Sequence, residues 1–132
     1  MKLHKFTRSL LLLSLGITAF AQAQTLSMEV WKSPTCGCCN EWISYMQKNG
    51  FEVKVNATGN YDAHKRFNIK YEHASCHTAV IDGYVIEGHV PAEDIKRLLA
   101  EKPDAIGLSA PGMPIGSPGM DGEAYGGRKD PY

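Results

Sequence analysis

The sequence lacks an apolar run long enough to cross a membrane and lacks a net excess of charge of either sign. Its longest apolar run, residues 9–20, is shorter than the roughly 20 residues that a membrane-spanning helix needs. Its 14 basic and 14 acidic side chains balance, so there is no basic face to contact phosphates. The sequence therefore predicts neither a membrane-spanning protein nor one that binds nucleic acid.

The sequence also offers no cluster of carboxylates with the spacing of a calcium, magnesium or manganese site. Those hard ions prefer oxygen ligands. The side chains that stand out instead belong to four cysteines, five histidines and five methionines, which carry sulfur and nitrogen donors. A metal bound by such donors is expected to be soft or borderline, with zinc as a competitor.

The N-terminal segment has the pattern of a signal peptide. Three basic residues and no acidic residue precede the apolar run, and Ala21-Gln22-Ala23 then supplies the small-x-small pattern of a signal peptidase site. We predict that residues 1–23 are removed on export, an N-terminal anchor helix being the alternative. The remaining chain has 11 basic and 14 acidic residues. It is expected to form one domain, residues 24–110, followed by an arm, residues 111–132.

Three of the four cysteines, Cys36, Cys38 and Cys39, fall within four consecutive residues. The segment before them, residues 28–32, alternates as a strand does, and residues 41–49 after them carry apolar side chains at helical spacing. The thiols are therefore predicted to lie at a strand-to-helix turn. There the free N–H groups and the helix dipole favour thiolate over thiol, which improves the sulfurs as nucleophiles and as ligands.

An even number of cysteines in an exported protein is usually explained by structural disulfides. The spacing argues against two such bonds here. Cys76 can pair with only one of the clustered thiols, so the other two would close a very short loop that contributes only about 2 kcal/mol. We therefore expect redox or metal chemistry.

The order of predicted elements is strand, helix, strand, helix, hairpin, helix. The strands cover residues 25–32, 51–56, 78–81 and 84–87, the last two joined by Asp82-Gly83, and the helices cover residues 40–49, 61–68 and a segment from Pro91 to about residue 102. This βαβαββα order is that of an α/β thioredoxin or glutaredoxin fold, in which the first two strands are parallel. Cys36 and Cys39 then occupy the ends of its C-x-x-C motif.

The loop before the third predicted strand holds the fourth thiol. In thioredoxin-like proteins this position usually carries a cis-proline packed against the active-site turn, whereas here Ser75-Cys76-His77-Thr78 occupies it. Cys76 and His77 are therefore expected to face the cysteine cluster, as a metal site requires. The alternatives are a buried, unpaired Cys76 and a surface His77. His64, His73 and His89 have weaker claims as ligands and are expected to be solvated, with His73 the nearest of them to the site.

The C-terminal segment is rich in proline and glycine and is predicted to contain no helix or central strand. It repeats one tripeptide, Pro111-Gly112-Met113 and Pro118-Gly119-Met120. The thioethers of Met113 and Met120 add soft ligands or a lid over the thiol site in one interpretation. In the other, Met113 and Ile115 only pack the arm onto the domain.

Four motifs of this chain occur together in one known family. They are Ser33-Pro34-Thr35-Cys36-Gly37-Cys38-Cys39, Cys76-His77-Thr78-Ala79, Gly88-His89-Val90-Pro91 and residues 112–120. In this combination they resemble the CopG-type periplasmic copper-resistance proteins. The resemblance implies a thioredoxin-like periplasmic protein that binds copper, as a thiolate-bridged multinuclear cluster, with a copper-linked redox role. The ligands it implies are Cys36, Cys38, Cys39 and Cys76 with a nearby histidine.

Three hypotheses follow for function. The first is a periplasmic Cu(I)-binding protein of copper resistance, coupled to redox change and acting beside other copper-resistance proteins; its proposed ligands are Cys36, Cys38, Cys39, Cys76, His77, Met113 and Met120. The second is an enzyme, a thiol-disulfide oxidoreductase in which Cys36 attacks and Cys39 resolves. The third is a copper chaperone that delivers Cu(I) to a partner. The extra thiol of Cys38 and the missing proline before Thr78 speak against the second.

Overall fold

The computed structural model describes residues 25–129, so the predicted signal peptide and its cleavage site lie outside the described residues. This part of the chain forms five strands and three α-helices. They follow in the order β1 Leu26–Lys32, α1 Gly37–Lys48, β2 Phe51–Asn56, α2 Tyr61–Arg66, β3 His77–Ile81, β4 Tyr84–Gly88, α3 Ala92–Glu101 and β5 Gly107–Ala110.

The five strands form one mixed sheet in the order β2-β1-β3-β4-β5. β1 and β2 are parallel, β3 is antiparallel to both β1 and β4, and β5 is parallel to β4. β3 therefore starts where β1 and β4 end. Loops that precede β3 or follow β1 and β4 meet at this end of the sheet.

The predicted hairpin is confirmed at Asp82-Gly83. Both residues have positive φ, 47° and 83°, as a two-residue turn between antiparallel strands requires. Counting outward from the turn, Ile81 pairs with Tyr84 and Thr78 pairs with Glu87. The turn thus fixes which residues at the far end of the hairpin lie side by side.

Helix α1 begins at Gly37, earlier than the predicted start near Asn40. The apolar side chains that give the helix its period, Trp42, Ile43 and Met46, pack into the main core, whereas Cys38 and Cys39 join a separate buried cluster with Met120. Because the first turn packs on different partners, the sequence period does not include it. The clustered thiols consequently lie in the first helical turn.

Strand β5 was not predicted, since proline and glycine surround it. It lies at the edge of the sheet, where no second neighbour is needed. A Cβ on Gly107 would overlap the carbonyl of Val85, so only glycine allows this close approach of β5 to β4.

The main core joins α1 and α3 to the central strands. Its largest fully buried side chains include Trp42, Met28, Met46, Ile86 and Ile95. The indole N–H of Trp42 donates to the carbonyl of Val90 at 2.9 Å. No helix within residues 25–129 is long and apolar enough to cross a membrane.

Candidate metal centre

Several segments meet at the end of the sheet where β3 begins. The first turn of α1, the loop before β3, the start of β3 and the residue after β4 all contribute side chains there. The Sγ atoms of Cys36, Cys38, Cys39 and Cys76 lie within 4.8 Å of one another. One ligand atom each of Cys76, His77 and His89 forms a second group, and these atoms also lie within 4.8 Å of one another. The structure thus brings all four thiols and His77 together, and adds His89.

The outer cysteines of the motif, Cys36 and Cys39, form a disulfide. Cys38 and Cys76 are free thiols. The Sγ of Cys38 lies 3.6 Å from that of Cys36 and 3.9 Å from that of Cys76. A free thiol therefore lies beside the disulfide, and a second free thiol lies beside the first.

The N-terminus of α1 lies at the clustered cysteines, as the sequence predicted. Its N-cap, Cys36, makes no side-chain capping hydrogen bond, and no acidic residue lies in the first turn. The positive end of the helix dipole is therefore not offset locally by a carboxylate, so this helix end favours a negative charge placed beside it.

Cys76 is a half-buried thiol held between sulfur and imidazole groups. Burial, and then the neighbouring Cys38, raise the pKa of Cys76 to about 12. Its Sγ lies 3.4 Å from Nδ1 of His77 and 3.2 Å from Nε2 of His89. Cys76 belongs to both donor groups, so a metal bound at either one removes its proton.

His77 and His89 are both fully buried. Burial, and then the charge of the neighbouring His89, lower the pKa of His77 to about 3. Burial also lowers the pKa of His89, although its hydrogen bond to the carbonyl of Pro118 acts in the opposite direction. Nε2 of His77 is the one buried side-chain nitrogen or oxygen of residues 25–129 without a hydrogen-bond partner. Two neutral imidazoles beside thiols, one with an unpaired nitrogen, are suited to bind a metal.

His89 has a defined tautomer. Its Nδ1–H donates to the carbonyl of Pro118 at 2.8 Å, which leaves the lone pair of Nε2 directed at Cys76. Orientation of a ligating histidine by a backbone carbonyl is common in metal sites. The expectation that His89 is solvated was wrong, and the sequence held the signal: extending the register from Asp82-Gly83 places His89 opposite Cys76.

Within residues 25–129, His73 and His64 do not join the centre. His73 has a side chain 58% exposed and belongs to neither donor group, so the expectation that it lies nearest to the site was wrong. His64 is not solvated as expected: its Nε2 lies 2.8 Å from the carboxylate of buried Glu87.

The two Pro-Gly-Met repeats have opposite environments. Met113 is 54% exposed, yet its Sδ lies 3.9 Å from Sγ of Cys38. Met120 is buried against Cys38 and Cys39. The predicted packing through Met113 and Ile115 is wrong, because both are exposed and the second repeat packs instead.

Glycine makes the second repeat's contact with α1 possible. Gly119 has φ of 83°, and a Cβ there would lie 2.7 Å from the backbone nitrogen of Trp42 and 2.9 Å from the carbonyl oxygen of Cys38. The first repeat is fixed differently: the N–H of Gly112 donates to the carbonyl of Ala74 at 3.0 Å. The arm is thus attached on both sides of the thiols.

These features define a class: an α/β protein whose sheet carries a compact cysteine and histidine centre at one end. Comparisons with known proteins agree with it. The family described as "Protein of unknown function, DUF411" matches residues 73–120, which include Cys76, His89 and both repeats. A comparison with curated proteins finds no match.

Two solved structures are similar to this chain, described as copper resistance protein CopG, form 1 and form 2. Form 1 is 44% identical, with a TM-score of 0.71 over 81% of this chain and 83% of that one. Form 2 is also 44% identical, with a TM-score of 0.72 over 81% and 84%. The chain therefore belongs to the CopG family of copper resistance proteins.

Proposed function

We propose that this protein binds Cu(I) at the cysteine and histidine centre and serves in copper resistance. The observation that carries the proposal is the gathering of four sulfur atoms within 4.8 Å of one another, with two buried imidazoles attached through Cys76. Thiolate and imidazole suit copper and zinc far better than calcium or magnesium. Its relatives are copper resistance proteins, which favours copper over zinc.

The donor set fits copper on chemical grounds. Both donor groups consist of sulfur and nitrogen atoms alone, and the unpaired Nε2 of His77 is a buried donor that no protein group uses. The residues that would hold copper are Cys36, Cys38, Cys39, Cys76, His77 and His89. Bound copper supplies a soft cation that stabilises the thiolates and can change oxidation state.

More than one copper ion is proposed, held by bridging thiolates. Cys76 belongs to both donor groups, and Cys38 lies within 4 Å of Sγ atoms on either side of it. A single tetrahedral ion accepts four ligands, whereas six donors are present. Sharing of sulfurs between ions accommodates the surplus.

The disulfide supports redox coupling. Opening the Cys36–Cys39 bond takes two electrons and two protons, for example from a dithiol that becomes a disulfide, and yields two further thiols. We propose that only this reduced form presents all four sulfur ligands. Copper binding is then coupled to the redox state of the protein.

We also propose a thioredoxin-like fold and a periplasmic location for the protein. The parallel β1–β2 pair, the antiparallel β3–β4 hairpin and the thiols at the start of α1 support a thioredoxin-like domain. We propose export to the periplasm through residues 1–23, and a domain of residues 24–110. The arm, residues 111–132, closes over the centre, and other copper-resistance proteins are the proposed partners.

A thiol-disulfide oxidoreductase is the second candidate, and the Cys36–Cys39 disulfide favours it. In the proposed thioredoxin-like fold, Cys76 and His77 at the start of β3 occupy the position where oxidoreductases of that fold carry a cis-proline. That position then presents a thiol and an imidazole to the disulfide. We rank copper binding first for this reason.

Anaerobic titration of the reduced protein with Cu(I) separates the two candidates. We expect tight binding that saturates at two or more equivalents per chain, because the donors exceed what one ion accepts. The measurement is competition with a Cu(I)-specific chelator. Absence of tight binding, together with rapid exchange with glutathione disulfide, would identify an oxidoreductase instead.

A second prediction concerns the arm. Met113→Leu removes the exposed thioether 3.9 Å from Cys38, whereas Met120→Leu makes the same change at a buried packing position. Both swaps nearly conserve volume and should cost less than about 1.5 kcal/mol of stability. We expect Met113→Leu to speed copper loss to a chelator several-fold and Met120→Leu to leave it unchanged. Equal release rates from Met113→Leu and the parent would rule out Met113 as a ligand.

A further inference from the structure

A buried carboxylate that contributes no donor to the centre lies beneath the Cys76 loop. Glu87 is 1% exposed and sits on β4 opposite Thr78 of β3. It is absent from both donor groups of the centre. Placing a carboxylate in a protein interior is costly unless its oxygens are satisfied by donors. Its contacts therefore indicate what the residue does.

The carboxylate holds the chain on both sides of the dipeptide Cys76-His77. The backbone N–H of Ser75 donates to Oε1 at 2.6 Å, and the hydroxyl of Thr78 donates to Oε2 at 2.6 Å. One side chain thus fixes the residue before Cys76 and the residue after His77.

Asn60, the N-cap of α2, and His64, in the last turn of the same helix, complete the network. Nε2 of His64 lies 2.8 Å from Oε1 of Glu87 and 3.0 Å from the amide nitrogen of Asn60. Asn60 then directs its two amide hydrogens to the carbonyl of Ser75 at 3.1 Å and to the hydroxyl of Thr78 at 3.3 Å. That hydroxyl accepts from Asn60 and donates to Glu87.

The loop needs such a support. The β1–β3 ladder begins with His77 and the β3–β4 ladder with Thr78, so Cys76 lies just before both ladders. Ser75 is also attached to Gly112 of the arm, by an isolated bridge and by its hydroxyl, which donates to the carbonyl of Gly112. Without the Glu87 carboxylate the backbone N–H of Ser75 and the hydroxyl of Thr78 lose their acceptor, and we expect Cys76 to be held less firmly beside Cys38, which lies 3.9 Å away.

We propose that Glu87, supported by His64, is a positioning residue that holds Cys76 against Cys38 and thereby sets the strength of the metal centre. The role of Glu87 in metal binding rests on the proposed function, but how closely it holds Cys76 to Cys38 can be measured without metal. Groups that orient metal ligands typically change metal affinity by about 10- to 100-fold when they are replaced.

The metal-free test measures how close the two free thiols are held. In a Cys36→Ser/Cys39→Ser background, Cys38 and Cys76 are equilibrated with reduced and oxidised glutathione, and the fraction joined as a disulfide gives their effective concentration. We expect Glu87→Gln to lower this value about tenfold. The matched control is Glu29→Gln, which makes the same change at an exposed carboxylate bonded to Lys54 and Asn56, and should leave it unchanged.

The copper-loaded test uses the cysteines as native reporters. In the reduced, loaded parent, all four thiols should resist alkylation. In Glu87→Gln, Cys76 should be alkylated at least tenfold faster while Cys38 stays protected. Leu98→Ala lowers stability by removing a core side chain distant from the loop, and serves as a control for general loosening; it should not expose Cys76 selectively.

The outcomes distinguish the positioning role of Glu87 from the proposed copper binding. Equal effective concentrations in Glu87→Gln and Glu29→Gln would overturn the positioning proposal. A tenfold loss in a protein whose parent does not bind copper would support positioning while rejecting the copper function. If Glu87→Gln does not fold, judged by circular dichroism, Thr78→Val removes one of the two anchor points and is subjected to the same measurement, with the same criterion.

Discussion

Replacing Cys38 with serine should lower the copper stoichiometry of the reduced protein while leaving Cys36 and Cys39 able to form their disulfide. The Sγ of Cys38 lies 3.6 Å from that of Cys36 in the disulfide and 3.9 Å from that of Cys76. Its loss removes a bridging position but no partner of the disulfide. Copper is counted by elemental analysis after gel filtration, and the disulfide by thiol titration.

Serine variants of the two disulfide-bonded cysteines should behave differently from Cys38→Ser. Cys36→Ser and Cys39→Ser each remove a ligand and also abolish the disulfide, so both tight Cu(I) binding and dithiol redox activity should be lost. An oxidoreductase without a metal centre would treat Cys38 as a bystander. Unchanged copper stoichiometry in Cys38→Ser would therefore contradict the bridged cluster.

The redox state of the protein should change Cu(I) affinity more than any single substitution. With the disulfide intact, two of the four sulfur ligands are unavailable. Four-ligand zinc sites gain about 10–16 kcal/mol on binding, or roughly 3 kcal/mol per ligand. Loss of two ligands should then weaken binding by more than about a thousandfold.

The measurement compares one preparation in two forms. Protein oxidised with glutathione disulfide and protein reduced anaerobically are titrated with Cu(I) against the same chelator. The Cys36→Ser/Cys39→Ser variant is the control, because it lacks both sulfurs and should bind like the oxidised parent under either condition. Equal affinity of oxidised and reduced parent would show that Cys36 and Cys39 are not ligands.

The sequence predicted helices and strands well where all the apolar side chains of an element pack on one core, because that packing sets the spacing of those side chains along the chain. Trp42, Ile43 and Met46 marked α1 because all three face the same core. The first turn of α1 packs against the arm, so its start was placed too late. Strand β5 is short and rich in small residues, and it depends on the close approach of Gly107 to Val85, which local pattern does not reveal.

The four thiols and His77 were predicted to lie together, and the structure places them together. His89 was undervalued because a histidine after a strand is usually solvated; only the hairpin register brings it opposite Cys76. The two methionines were treated as equivalent, yet one is exposed and the other buried. Identical tripeptides differ here because the path of the chain, not the local sequence, decides which side faces α1.

The donors of the centre come from distant parts of the chain, Cys38 and Cys76 being 38 residues apart. An unfolded chain keeps Cys36, Cys38 and Cys39 adjacent but loses Cys76 and both imidazoles from the site. Under the proposed function, copper should therefore bind the native chain more tightly and shift the folding equilibrium towards it. A ligand selective for the native state, at a thousandfold its Kd, adds about 4 kcal/mol to the free energy of unfolding. Resistance to proteolysis, and with it the lifetime of the protein, should consequently rise with the copper supply.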